Sequence, residues 1–271
     1  MFDPLPDDLA RAIDVARTEL GPFARLFYCA ETGSTNDVAL RLAGEGAPEG
    51  TGVLAGVQRQ GRGRRGHEWW SPPGAGLYLS VVIRPPADPG IQPLVTLAAG
   101  VAAAESLLAT TGLPVELKWP NDLVIGSPWR KLGGILTEGV TTGGALSALV
   151  VGIGINLVDR PVPPPLEATA TSVEAELGRR CDRPALLTTL LGRLRLAVGL
   201  VHEGGRGAII ERWRWFARSG LGGVVRWHDA EGEHRGVARD VDDDGALLVS
   251  REGVVVRVVA GDVIWEGLSG A

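Results

Sequence analysis

Cysteine is nearly absent from this 271-residue chain: Cys29 and Cys181 stand 152 positions apart, with no CxxC pair and no Cys/His cluster. That spacing excludes a disulfide framework and the common zinc modules, and predicts two reduced thiols. No run of 18 apolar residues occurs, and the N-terminal stretch is acidic and broken by Pro4 and Pro6 rather than basic and then apolar. Neither a membrane span nor a secretory leader is expected, so the reading is a soluble cytoplasmic protein. An excess of positive charge is missing as well, since 32 acidic residues against 27 basic ones leave a formal net charge of −5. That balance gives the chain as a whole no pull toward phosphate backbones or anionic membranes, and nucleic acid is disfavoured as a partner. Walker A, HExxH and GxSxG patterns are all lacking, which removes support for P-loop, zincin and α/β-hydrolase chemistry. What remains is an ordinary globular composition, 45% hydrophobic and 22% charged, long enough for a large domain with a smaller companion.

Lysine and asparagine are scarce in a more informative way. Of the 27 basic residues 25 are arginine, and the only lysines, Lys118 and Lys131, lie 13 positions apart. Asn36, Asn121 and Asn156 are the complete set of asparagines. A chain biased this strongly should keep Lys and Asn mainly where a compact ammonium or a side-chain amide has no substitute. These five positions are therefore the first site candidates.

Apolar spacing predicts a helix over Asp7–Leu20, a strand over Arg25–Cys29, and helix N-cap chemistry at Ser34-Thr35-Asn36-Asp37. Strands are expected at Gly52–Val57 and Leu77–Ile83, joined by Gly61-Arg62-Gly63-Arg64-Arg65-Gly66 and a Trp69-Trp70-Ser71-Pro72-Pro73 turn. A helix over Leu94–Ala109, a strand over Val115–Trp119 and a hairpin of Lys131–Val140 with Leu146–Leu157 follow. Leu186–Ala217 reads as helical, and beyond Gly220 short β-rich runs between Gly-containing turns predict a small separate barrel.

Residues 61–66 satisfy GxGxxG, yet a strand follows where a dinucleotide fold requires a helix. Three arginines among three glycines instead suggest a mobile cationic loop able to close on a phosphate-containing anion. Lys118-Trp119-Pro120-Asn121-Asp122 places a cation, a ring, an amide and a carboxylate at one strand end, a common place for ligands. The glycines of Lys131-Leu132-Gly133-Gly134 and Gly152-Ile153-Gly154-Ile155-Asn156 would let a ligand or another backbone lie close to a strand.

In this order and spacing the motifs resemble those of the biotin protein ligases over roughly residues 30 to 271. Gln60 and Gly133 depart mildly from the family pattern. The resemblance implies an α+β fold: a catalytic domain with a mixed sheet, like that of class II aminoacyl-tRNA synthetases, over residues 1–219, and an SH3-like β-barrel over 220–271. It further implies activation of biotin by MgATP to biotinyl-5′-AMP and transfer to a lysine of a biotin carboxyl carrier protein of acetyl-CoA carboxylase or a related enzyme. By match to the motifs, Ser34, Thr35, Asn36 and Gln58 would bind the uncharged end of biotin. Arg62, Gly63, Arg64 and Lys131 would take its carboxylate and the phosphates, with Arg62, Arg64 and Lys131 acting in catalysis. Trp69, in the family position, or Trp70 would stack on adenine, Lys118 and Asn156 would contact the nucleotide, and Asp122 is a candidate for orienting Mg2+ or the acceptor lysine. With only about 30 residues before the first motif, the ligase-only type is expected, without DNA binding, as a monomer or weak homodimer. A lipoyl ligase would share the chemistry but matches the Gly-Arg loop and Lys118–Asp122 poorly, and a non-enzymatic biotin sensor or regulator would lack the transfer step.

Overall fold

The structure is a computed structural model that describes residues 2–85, 88, 90–229, 232–259, 261 and 263–268; Met1 and Ala271, the outer limits of the two expected domains, lie outside them. Its first half is built on a seven-stranded sheet of order β1-β2-β3-β7-β6-β5-β4. The strands are β1 (Leu26–Cys29), β2 (Gly52–Ala55), β3 (Gly76–Ile83), β4 (Glu116–Lys118), β5 (Asp122–Ile125), β6 (Arg130–Thr142) and β7 (Ala145–Asn156). β1 and β2 are parallel and every other neighbouring pair is antiparallel, which makes the sheet mixed as expected.

The period-two alternation of β3 sorts the layers. Leu77, Leu79, Val81 and Ile83 enter the main core with α1 (Asp7–Leu20), α3 (Ile91–Thr111) and α6 (Arg183–His202). Val82 faces the other way, into a smaller core with Ala39 and Ala43 of α2 (Thr35–Gly44). α3 is rich in alanine and leucine and buries most of its surface, and Gly100 lets it approach Leu117 of β4 closely. By length and composition alone α3 and α6 could cross a membrane, but α3 is largely buried against the sheet and α6 packs on α3. Between β7 and α6 lie two short helices, α4 (Pro164–Glu167) and α5 (Val173–Leu177), and α7 (Arg206–Phe216) follows α6 after Gly204-Gly205.

The last quarter forms a five-stranded antiparallel sheet of order β11-β10-β9-β8-β12. Its strands are β8 (Val224–Asp229), β9 (Gly232–Val241), β10 (Leu247–Arg251), β11 (Val254–Val258) and β12 (Val263–Trp265). The β-rich unit expected beyond Gly220 is present as this sheet, and its Val225, Trp227, Val241 and Trp265 pack into the same continuous core as α3 and β4–β6. Trp119 Nε1 donates to Gly245 O at 3.0 Å, Trp265 Nε1 donates to Trp119 O at 3.4 Å, and the rings of Trp129 and Trp265 meet edge-on at 5.8 Å.

Candidate active site

The strand expected to end at Trp119 continues as a hairpin. Trp119-Pro120-Asn121 is its turn, and β4 and β5 pair so that Lys118 faces Asp122. Asn121 fastens the turn to β6, donating Nδ2 to Ile135 O at 2.7 Å while its carbonyl accepts from Ile135 N at 2.9 Å. An irregularity where β5 meets β6 brings Lys131 to the same carboxylate: Nζ lies 2.6 Å from Asp122 Oδ1, with Lys118 Nζ 3.9 Å from Oδ2. Burial pushes the Lys118 ammonium below the ordinary lysine value; Asp122 opposes that fall and the neighbouring Lys131 charge deepens it.

Across the sheet, α2 points its N-terminus at the cavity. Ser34 occupies the N-cap position but makes no capping hydrogen bond, contrary to the simplest reading of Ser34-Thr35-Asn36-Asp37. Gln58 performs that service from the loop after β2, accepting from Thr35 N at 2.8 Å and Thr35 Oγ1 at 3.0 Å and donating to Ser71 Oγ at 2.9 Å. Ser80 Oγ lies 2.7 Å from Thr35 Oγ1 and 2.6 Å from Asn36 Oδ1. Asn36 donates Nδ2 to Glu138 Oε2 at 2.6 Å and to Leu136 O at 3.3 Å.

The Gly-Arg loop is a tight hairpin, with Trp69 N donating to Gly61 O and Gly63 N to His67 O. A side chain on Gly61 would put its Cβ 2.3 Å from Trp69 O. The indole of Trp69 rests on the cross-strand pair Gly134 and Gly154, where a Cβ on Gly154 would come within 2.6 Å of the ring. Gly152 makes the same allowance for Asn36, whose Oδ1 would lie 2.2 Å from an added Cβ. Lys131 Nζ stands 5.5 Å from the Trp69 ring centroid, a cation–π approach.

These elements enclose one cavity of about 290 Å3, lined by Ser34, Thr35, Asn36, Gln58, Arg62, Gly63, Arg64, Trp69, Lys118, Asp122 and Lys131. Asn156 is the exception among the expected residues: it lines a neighbouring cavity of about 530 Å3 with Trp70 and Arg160, and its Nδ2 donates to Thr171 O at 3.0 Å. Tyr78 borders both cavities. Arg62 lines the cavity too, and its Nη2 is shared between Asp37 Oδ1 at 2.7 Å and Glu138 Oε2 at 2.8 Å. Asp122, bound by both lysines, does not fit the role of metal ligand, and no cluster of three His, Cys, Asp or Glu side chains occurs among the described residues. Sequence reasoning missed Glu138 and Ser80. The first shares a strand face with Gly134 and Leu136; the second is a buried hydroxyl within an apolar run, and both facts are visible in the alternation.

Residues 28–156 match the biotin/lipoate A/B protein ligase family and residues 225–265 the biotin protein ligase C terminal domain. The biotin--[acetyl-CoA-carboxylase] ligase of Paracoccus denitrificans is 34% identical over 226 residues, covering 81% of this chain and 92% of that protein. The bifunctional ligase/repressor BirA of Bacillus subtilis is 32% identical over 240 residues, 88% of this chain and 73% of that protein. Among solved structures, the biotin protein ligase from Aquifex aeolicus in complex with biotin and ATP superposes with a TM-score of 0.73 at 28% identity, covering 89% of this chain and 98% of that one. A mixed sheet with a cationic loop, two lysines on one carboxylate and a C-terminal antiparallel sheet is the arrangement of an ATP-dependent ligase of this kind. The chain belongs to the biotin protein ligase family, and its reaction is the ATP-dependent attachment of biotin to a carboxylase carrier protein.

Proposed function

We propose that the cavity holds biotin with its uncharged ring toward Ser34, Thr35 and Gln58 and its carboxylate toward Arg64 and Lys131. The carrying observation is that neutral hydrogen-bonding groups (Ser34, Thr35, Gln58) and cationic groups (Arg64, Lys131) line one cavity together with the Trp69 indole. A biotin carboxylate oxygen attacks the α-phosphorus of ATP, the bond to the bridging oxygen breaks, and pyrophosphate leaves with the bonding pair. Lys131 stabilises the charge gathering on the phosphoryl oxygens, a task for which a compact ammonium held by Asp122 is suited. No enzyme nucleophile is needed, because the substrate carboxylate is itself the nucleophile. In the second step the neutral amine of a carrier lysine attacks the acyl carbon and AMP departs. Trp69 and Lys118 border the nucleotide, which extends past Tyr78 toward Asn156 in the second cavity. Mg2+ would arrive with the nucleotide, since this ion keeps water and substrate phosphates as most of its ligands.

Incubation of the protein with α-labelled ATP and biotin, followed by chromatography, tests this reading. A labelled biotinyl-5′-AMP that forms with biotin and not with lipoate is the expected product. Adenylate formation from lipoate at an equal rate would make the chain a lipoyl-type ligase, and no adenylate from either would reject the assignment.

A further inference from the structure

The Gly-Arg loop is tied to the body of the protein at one carboxylate oxygen that also serves the pocket. Glu138 Oε2, on β6, accepts from Arg62 Nη2 at 2.8 Å and from Asn36 Nδ2 at 2.6 Å. Asp37, in the first turn of α2, adds a second carboxylate 2.7 Å from the same Arg62 nitrogen. One guanidinium against two carboxylates leaves this cluster formally negative, so it repels a substrate anion rather than receiving one. The Arg62 side chain therefore works on its own loop. Asn36, through the same oxygen and through Ser80 on its other side, belongs to the pocket wall.

We infer that Glu138 is a positioning residue of the reaction, which clasps the Gly-Arg loop shut through Arg62 and couples that closure to the Asn36 wall of the biotin pocket. The inference rests on reading this cavity as the biotin site. A single acceptor shared by the Gly-Arg loop and a pocket residue makes the two arrangements interdependent: a loop held down fixes the oxygen that orients Asn36, and a correctly seated Asn36 fixes the oxygen that receives Arg62. Such a role acts on substrate capture and leaves the reacting atoms untouched, so its signature is in KM more than in kcat.

Glu138→Gln is the variant of choice, because the amide oxygen can still accept from Asn36 while the charge that holds Arg62 is gone; Glu138→Ala strips Asn36 of a buried partner and serves as the harsher comparison. With the full-length protein, biotin-dependent pyrophosphate release and mapped tryptic cleavage at Arg62, Arg64 and Arg65 are measured side by side. Glu138→Gln should raise the KM for biotin about fivefold to tenfold, the worth of a charge-assisted hydrogen bond partly open to water, with kcat within about twofold. Loop cleavage without biotin should quicken by a similar factor. Arg62→Met should give the same KM increase, and the double variant should be no worse than either single one, since both remove one interaction. Asp37→Asn, on an exposed helix turn, should shift KM in the same direction by less. An unchanged biotin KM with unchanged loop cleavage in a folded Glu138→Gln protein would overturn the inference, as would losses that simply multiply in the double variant. Absence of biotin-dependent pyrophosphate release by the wild-type protein would instead reject the reading of the cavity, independently of Glu138.

Discussion

Lys118 shows what this site costs the fold. Its ammonium is mostly buried, sits 3.9 Å from Asp122, and is held below the ordinary lysine value chiefly by burial. A base whose folded-state pKa is depressed binds fewer protons than in the unfolded chain, so stability rises with pH between the lowered value and 10.5, and the full cost of the buried charge is present below that window. Lys118→Met should therefore raise stability at pH 7 by about 1 kcal/mol, an advantage that shrinks as pH approaches 10.5, while adenylate formation falls. Thermal melting of both proteins across this range checks it; a variant less stable than wild type at pH 7 would show that the ammonium is paid for by contacts already present. Rarity in the sequence pointed to Lys118, Lys131 and Asn121, and all three meet around one hairpin. The same signal marked Asn36 and Asn156, whose amides turn out to bind the protein's own groups. Glu138 stayed hidden because glutamate is common in this chain and its meaning comes from Asn36 and Arg62, 102 and 76 positions away.

At the level of elements, the glycines of β6 and β7 are the device that turns a sheet into a binding surface. Gly134 and Gly154 face one another across the strands and give the Trp69 indole a flat bed, and Gly152 leaves room for Asn36. Gly154→Ala should destabilise the protein by about 1–3 kcal/mol through overpacking and raise the KM for ATP about tenfold by displacing the indole. In a Trp69→Leu background the same substitution should cost clearly less stability, because the ring it strikes is gone. Equal costs in the two backgrounds, read from denaturant melts, would mean that the strand itself resists the methyl group. Long strands and helices were legible from periodicity, and α1 matches its expected span, Asp7–Leu20. β5 was not, since a four-residue strand between Pro120 and Gly126 offers too few positions to show a period. The capping of α2 by Gln58 was equally illegible, because it comes from another element and local sequence nominates Ser34.

At the scale of the whole molecule, the C-terminal sheet shares one hydrophobic core with the rest of the protein. Val263 of β12 lines the cavity, and Trp119 there is held by Gly245. The change of texture at Gly220 marks a new sheet, while nothing local shows that it joins the core, because the joining bonds span 126 and 146 residues. Calorimetry of the full chain should show a single unfolding transition, and a chain ended at residue 219 should fail to bind biotin; two resolved transitions would separate the units again. The central claim is that this one cavity activates biotin through Lys131, and the most direct measurement is biotin-dependent exchange of labelled pyrophosphate into ATP. The wild-type protein should exchange only when biotin is present, and Lys131→Ala should lose about a hundredfold or more while retaining a wild-type melting profile. Exchange by Lys131→Ala at close to the wild-type rate would contradict the account.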